Sequence, residues 1–276
     1  NLSVYTLFSL ALVRLQSRTL TETASIENFR EVATLAIKNP KVSNFNKNFV
    51  STFLSYLDSN NPPRSEALLR IYKLKTWPRT GWNDRQKGRH TVSPECVASH
   101  IFAAVAIAQC YLPSTPKVKR LIAEKILDEQ RYREYDKSKI IENIVCHDIG
   151  EYEFGDIISR KKKPKHRQQE KSAVMKISLL TNCYTEVPNL LADPYETVYK
   201  PWKTFTENTD RSDINARIAY EIDKLEFLVQ SIVYNLNPKN ELPDFHQAHN
   251  EVKSKLEDHI VLQIYSSIVA PLVSME

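Results

Sequence analysis

Apolar side chains recur at i, i+3, i+4 and i+7 from one end of the chain to the other, and no run alternates with period two for long enough to require a sheet. A chain patterned in this way buries its stripes by packing helix on helix, so the expected fold class is all-α. Glycine usage agrees with this. Only four of the 276 residues are glycine, at 81, 88, 150 and 155, where average usage is about 7%. Helices dispense with glycine except where backbone must bend or approach a ligand closely, so these four positions point to where the irregular, functional segments lie.

The periodicity predicts helices near residues 4–18, 26–37 and 48–57, ended by Asn60-Asn61-Pro62-Pro63, which cannot continue a helix. This divides the chain into an N-terminal helical extension over 1–62 and a main domain over 63–276. Further helices are expected over 64–75, from Ser93 as N-cap with Pro94 in the first position, over 118–131 and 137–152, near 168–181 and 195–206, and over 213–236 and 247–273. The helix over 213–236 carries Ile214, Ile218, Ile222, Leu225, Val229 and Ile232 as its core stripe, and that over 137–152 carries Ile140, Ile141, Ile144 and Val145.

Four cysteines (96, 110, 146 and 183) without a CxxC pair argue for reduced, mostly buried thiols rather than a disulfide framework, and for the cytoplasm. The apolar stretch from Leu2 to Val13 is interrupted by Arg14 and has no basic leader, so it is expected to be a core helix and neither a membrane span nor a signal peptide. The net charge of +5 owes part of its excess to one run, Arg160 to Arg167, which is expected to be a solvated loop. Nucleic acid is therefore not an expected partner.

Chemistry is concentrated in four side chains placed on or beside buried helical stripes: His100, the adjacent pair His147-Asp148, and Asp223. Buried carboxylates are costly unless paired or bound to a cation. Imidazole nitrogen with carboxylate oxygen suits Mn, Fe, Co, Ni, Zn or Mg. The order His, His-Asp, Asp along separate helices is more specific than any one of these residues.

The words around them resemble those of the HD superfamily of metal-dependent phosphohydrolases, and within it the 5′-deoxynucleotidase group. They are Leu74-Lys75 through Pro78-Arg79-Thr80-Gly81-Trp82, then Pro94-Glu95-Cys96-Val97-Ala98-Ser99-His100, His147-Asp148-Ile149-Gly150-Glu151, Gly155-Asp156-Ile157, and Ile222-Asp223-Lys224-Leu225-Glu226. The resemblance implies an HD-type helical bundle holding one divalent metal ion through His100, His147, Asp148 and Asp223, with a water activated on that ion attacking phosphorus. It implies Glu151 as the group that orients or deprotonates the water, Asp156 near the sugar and the water, Arg79 as a phosphate clamp and Trp82, or else Trp77, as a stacking or walling residue for base or sugar. Lys224 and Glu226 are left as supporting pairs. A homodimer and a nucleotide or other phosphorylated small molecule as substrate are implied likewise. The stretch between Trp82 and Pro94 is longer than the family's usual linker.

The competing readings keep the metal site but change the substrate to a nucleoside triphosphate or another phosphorylated metabolite, or make the chain a non-catalytic nucleotide sensor. Glu151 is followed by Tyr152 instead of Asp, which argues against alarmone hydrolysis, and only two histidines are in place where a bimetallic phosphodiesterase needs more.

Overall fold

The computed structural model describes Lys38 and residues 63–82, 94–158, 161–182, 195–207, 212–235 and 245–273. The expected extension over residues 1–62 lies outside the described residues except for Lys38, and so do Gly88 and Cys183. Helix α1 (Pro63–Tyr72) opens with a proline, whose missing N–H forfeits no intrahelical bond there. It tightens into a 3-10 turn, Lys73–Lys75, where the Thr76 hydroxyl donates to the Lys73 carbonyl.

Pro78 then pairs with Cys96 in an isolated antiparallel bridge. The Arg79 N–H donates to the Glu95 carbonyl and the Val97 N–H to the Trp77 carbonyl, each at 2.9 Å. This bridge corrects the helix start expected at Ser93-Pro94. Cys96 is extended, with φ −88° and ψ 161°, and α2 (Val97–Tyr111) begins only after the bridge has used the backbone of residues 95–97.

Ser114 caps α3 (Thr115–Ala123) and Asp128 caps α4 (Glu129–Tyr132). The single helix expected over 118–131 is divided because Lys125 takes φ 58°, a left-handed conformation that stops an α-helix. Asp136 caps α5 (Lys137–Cys146). That helix also ends early: Asp148 sits at φ −106° and ψ 5°, and residues Ile149–Tyr152 continue as a 3-10 turn. Next come α6 (Pro164–Asn182) and a π turn, Tyr195–Tyr199, leading into α7 (Lys200–Glu207). Then follow α8 (Ile214–Asn235), α9 (Phe245–Lys253) and α10 (His259–Ile264), which passes through a second π turn, Tyr265–Val269, into α11 (Ala270–Val273). The helix expected over 247–273 is thus broken at residues 254–258, where Asp258 caps α10.

Helices α2, α5 and α8 pack on one another, α7 covers α5 and α8, and α6 lies on α1 and the 3-10 turn 149–152. Ile214, Ile218, Ile222, Leu225 and Ile232 of the expected α8 stripe are buried, with Val229 packed beside them. Val145 departs from its expected stripe and is 39% exposed, because it lies on the outer side of α5 while Ile140 and Ile144 point inward. Cys146 is buried as expected, whereas Cys110 is exposed. No single described helix is long and apolar enough to cross a membrane; α2 and α3 meet that test only as a pair bent by 44°.

The core forms two clusters. One is built from α2, α5, α8 and the C-terminal helices; the other from α1, α6, the 3-10 turn and Trp202. Ile144 belongs to the first and Cys146 and Ile149 to the second. His147 and Asp148 therefore stand at the seam. Gly155, at φ +84°, ends the 3-10 turn by donating its N–H to the Glu151 carbonyl, and a Cβ there would come within 3.1 Å of the Trp77 ring. Gly155→Ala is expected to lower stability by about 1–2 kcal/mol for the left-handed backbone alone. Gly81→Ala, where a Cβ meets nothing within 4 Å, should stay near the native value in the same urea titration.

Candidate metal centre

His100 projects from the second turn of α2, fully buried, and His147 caps the C-terminus of α5. Each imidazole is held by its Nδ1. That of His147 lies 2.6 Å from the Ile144 carbonyl, and that of His100 bonds to the Glu226 carboxylate. A carbonyl or carboxylate at Nδ1 accepts a proton from it, so both rings turn Nε2 inward, the nitrogen that can act as a ligand once it carries no proton.

Around these two nitrogens stand two carboxylates. Asp148 Oδ2 is 3.0 Å from His147 Nε2 and 3.9 Å from His100 Nε2, and Asp223 Oδ1 is 2.9 Å from His100 Nε2 and 3.5 Å from His147 Nε2. Both Nε2 atoms are buried without a hydrogen bond. Buried polar atoms of native proteins are nearly always satisfied, and here two orphaned nitrogens converge with two carboxylate oxygens. The donor set fits a divalent cation. His100, His147 and Asp148 place their ligand atoms close enough together to share one ion, and Asp223 approaches the same two nitrogens from α8.

Two basic side chains balance the carboxylates. Arg79 Nη1 donates to Asp148 Oδ2 at 2.9 Å and Lys224 Nζ to Asp223 Oδ2 at 2.6 Å. Burial alone would raise both aspartates, but the positive charge of His147 and Arg79 on Asp148 and of Lys224 on Asp223 holds both below the ordinary range. Burial opposes charge on His147 as well, yet Asp148 and Asp223 outweigh it and push the imidazole up to about 10. The charge that the two aspartates draw onto His147 as a proton is the charge that a divalent ion at Nε2 would supply in its place.

Glu151 was expected at i+4 from His147 on one helix. The helix breaks between them, and the 3-10 turn carries Glu151 into the same cavity, 2% exposed. Its carboxyl is pushed well above the usual range, first by burial and next by the charge of Asp148, with Lys162 opposing. Asp156 also lines the cavity, and its Oδ2 accepts from the Thr80 N–H at 2.6 Å and the Thr80 hydroxyl at 3.0 Å, which pins the segment bearing Arg79. Trp82 lies in the wall. Its ring is 1% exposed, stacked on Phe227 at 4.6 Å with Tyr234 edge-on, and its Nε1 donates to Glu95. Trp77 sits beneath Gly155 and donates to the Tyr152 carbonyl.

Lys162 was not anticipated. It belongs to the run expected to be a solvated loop, yet its ammonium is tucked between Glu151 at 3.2 Å and Glu170 at 2.5 Å and borders the cavity. Nothing in a run of like charges distinguishes the one that folds inward. The cavity, ≈ 980 Å³, is further bordered by Trp202, Phe205 and Tyr220, at the large end of the range for small-molecule sites.

The HD domain family matches residues 71–264. The 5′-deoxynucleotidase HDDC2 of Dictyostelium discoideum is 30% identical over 184 residues, covering 66% of this chain and 78% of that protein. Two solved structures, a conserved hypothetical protein from Pyrococcus furiosus and the PH0347 protein from Pyrococcus horikoshii, are each 22% identical, with TM-scores of 0.48 and 0.47. The alignments cover 76% and 75% of this chain and 98% of each of theirs.

Replacing Lys162 with Met leaves Glu151 and Glu170 facing each other in the wall. The expected loss is about 1–3 kcal/mol, the scale of an unsatisfied buried polar group. The folded pKa of Glu151 is already raised and would rise further, so the native state then favours the protonated acid. The deficit should be smaller at pH 5 than at pH 8 when unfolding is followed in urea at both.

Proposed function

This chain belongs to the HD domain family, and we propose that it is a metal-dependent phosphohydrolase acting on nucleoside 5′-monophosphates, deoxynucleotides among them, to give nucleoside and inorganic phosphate. The observation that carries this reading is the convergence of His100 Nε2, His147 Nε2 and the carboxylates of Asp148 and Asp223 beside Arg79 and Glu151 in one cavity. A relative named as a 5′-deoxynucleotidase supports the choice of substrate.

His100, His147, Asp148 and Asp223 would hold the ion. When bound, it supplies Lewis acidity, neutralising charge on phosphoryl oxygens and making a water acidic enough to attack at neutral pH. Arg79, whose guanidinium reaches Asp148 from the cavity wall, is the phosphate clamp, because its planar fork binds two oxygens at once and keeps its charge. Glu151 takes the proton of the attacking water. Its proton affinity, raised by burial and by the charge of Asp148, makes the ionised carboxylate the better acceptor, and the proton taken from the water is returned to the leaving 5′-oxygen as the P–O bond breaks. Asp156 acts on the reaction by anchoring Thr80 and so the position of Arg79. Phe205, Tyr220 and Phe227 form the aromatic border against which base and sugar pack, and the buried Trp82 ring backs Phe227 in that wall.

A second reading, hydrolysis of triphosphates, is favoured by Arg167 and Lys171, which also line the cavity. The two are separated by measuring phosphate release from ribo- and deoxyribonucleoside 5′-mono- and triphosphates after metal stripping and readdition of Mn, Co, Ni, Zn or Mg. Metal-dependent turnover of monophosphates, abolished in Asp148→Ala, is the expected result. Turnover confined to triphosphates would favour the second reading, and none at all, with metal bound, would leave a sensor. Arg79→Lys should lower kcat/KM for the preferred substrate by about 10-fold or more through loss of the bidentate contact.

A further inference from the structure

One helix grips both nitrogens of His100. Asp223 and Glu226 stand three residues apart on α8 and so share a face. Asp223 Oδ1 lies 2.9 Å from His100 Nε2, on the metal side, while Glu226 Oε2 bonds to Nδ1 on the opposite side of the same ring. His100 is completely buried and Glu226 is 2% exposed, so no solvent competes for that bond.

We propose that Glu226 is a positioning residue for the metal centre. By accepting the Nδ1 proton of His100, it fixes the tautomer and the ring orientation that present Nε2 as a ligand. The inference rests on the metal-centre reading above. An imidazole ligates through Nε2 only when that nitrogen carries no proton, and a partner at Nδ1 both holds the proton there and stops the ring from turning. His147 has the same device in weaker form, with the neutral Ile144 carbonyl in place of a carboxylate. The α8 carboxylate is thus the charged one of the pair.

A second carboxylate stands beside the contact. Glu95, from the bridge segment before α2, places a carboxylate oxygen in a common cluster with His100 and Glu226, while accepting a 2.9 Å hydrogen bond from Trp82 Nε1. The Glu95 N–H donates to the hydroxyl of Tyr234, farther along α8. Burial of both partners keeps Glu226 at Nδ1, whereas the neighbouring Glu95 carboxylate repels it. The cluster also raises the rival assignment, in which Glu95, His100 and Glu226 are a cation site in their own right.

Manganese(II) affinity and stoichiometry, measured calorimetrically on the metal-stripped full chain, decide between these, together with the visible spectrum of the cobalt(II)-loaded protein. Native protein should bind one equivalent. Glu226→Ala should weaken that binding by about 10- to 100-fold, the usual effect of removing such a partner, and shift the cobalt spectrum. Glu226→Gln, which keeps an acceptor oxygen of the same reach, should recover part of the affinity. Native-like affinity in both variants, with only a lowered melting temperature, would reduce Glu226 to a structural role and overturn the inference while leaving the metal centre intact. Two equivalents in the native chain, one of them lost in Glu226→Gln, would overturn it in favour of the second cation site. Failure of the native chain to bind manganese or cobalt at all would instead be a failure of the metal-centre reading.

Discussion

Two imidazoles and two carboxylates are brought to one buried point, and the rest of the structure is arranged around satisfying them. They come from three separately packed elements: His100 from α2, His147 and Asp148 from the end of α5, Asp223 from α8. Ionised groups withdrawn from water are stable only when paired or bound to a cation. Arg79 and Lys224 balance the two aspartates, while Glu226 and the Ile144 carbonyl occupy the outward nitrogens of the histidines. What is left without a hydrogen bond is the pair of Nε2 atoms facing inward. That deficit is the physical content of the site.

The seam between the two core clusters explains how an α-helical protein makes room for it. Helix α5 could have run on through Ile149 and Tyr152, since its apolar pattern continues. Instead the chain turns at Asp148 and tightens, so that Ile149 and Tyr152 enter the second cluster while Asp148 and Glu151 face the cavity. Gly155 completes the turn at φ +84°, where a Cβ would crowd the Trp77 ring at 3.1 Å. The bridge between Pro78 and Cys96 does the same for Arg79, tying it to the residues just before α2.

The helical class, the α8 stripe and the identity of the convergent residues were legible because they depend on periodicity and on residue order. Asp223 could be singled out because it sits beside an otherwise apolar stripe, and it is indeed buried there. What the pattern did not carry was local backbone competition. The start of α2 was lost to a backbone bridge, and the breaks at Lys125, Asp148 and residues 254–258 depend on dihedral angles that an apolar spacing does not encode. Side-chain direction within a charge run was equally hidden: Lys162 folds against Glu151 and Glu170, whereas Lys161 and Lys163 beside it are exposed. Trp82 shows the same limit. Its place near the site followed from the words around it, but Phe227 and Tyr234, which cover its ring, come from far along the chain.

The account stands or falls on whether a divalent ion occupies the point where His100, His147, Asp148 and Asp223 meet. Anomalous diffraction at the cobalt edge from crystals of the cobalt-loaded chain tests this most directly. The account predicts one strong peak within ligand distance, about 2.0–2.2 Å, of both Nε2 atoms and of carboxylate oxygens of Asp148 and Asp223. A peak lying instead between Glu95 and Glu226, or no peak among these side chains in protein that has bound cobalt in solution, would contradict it.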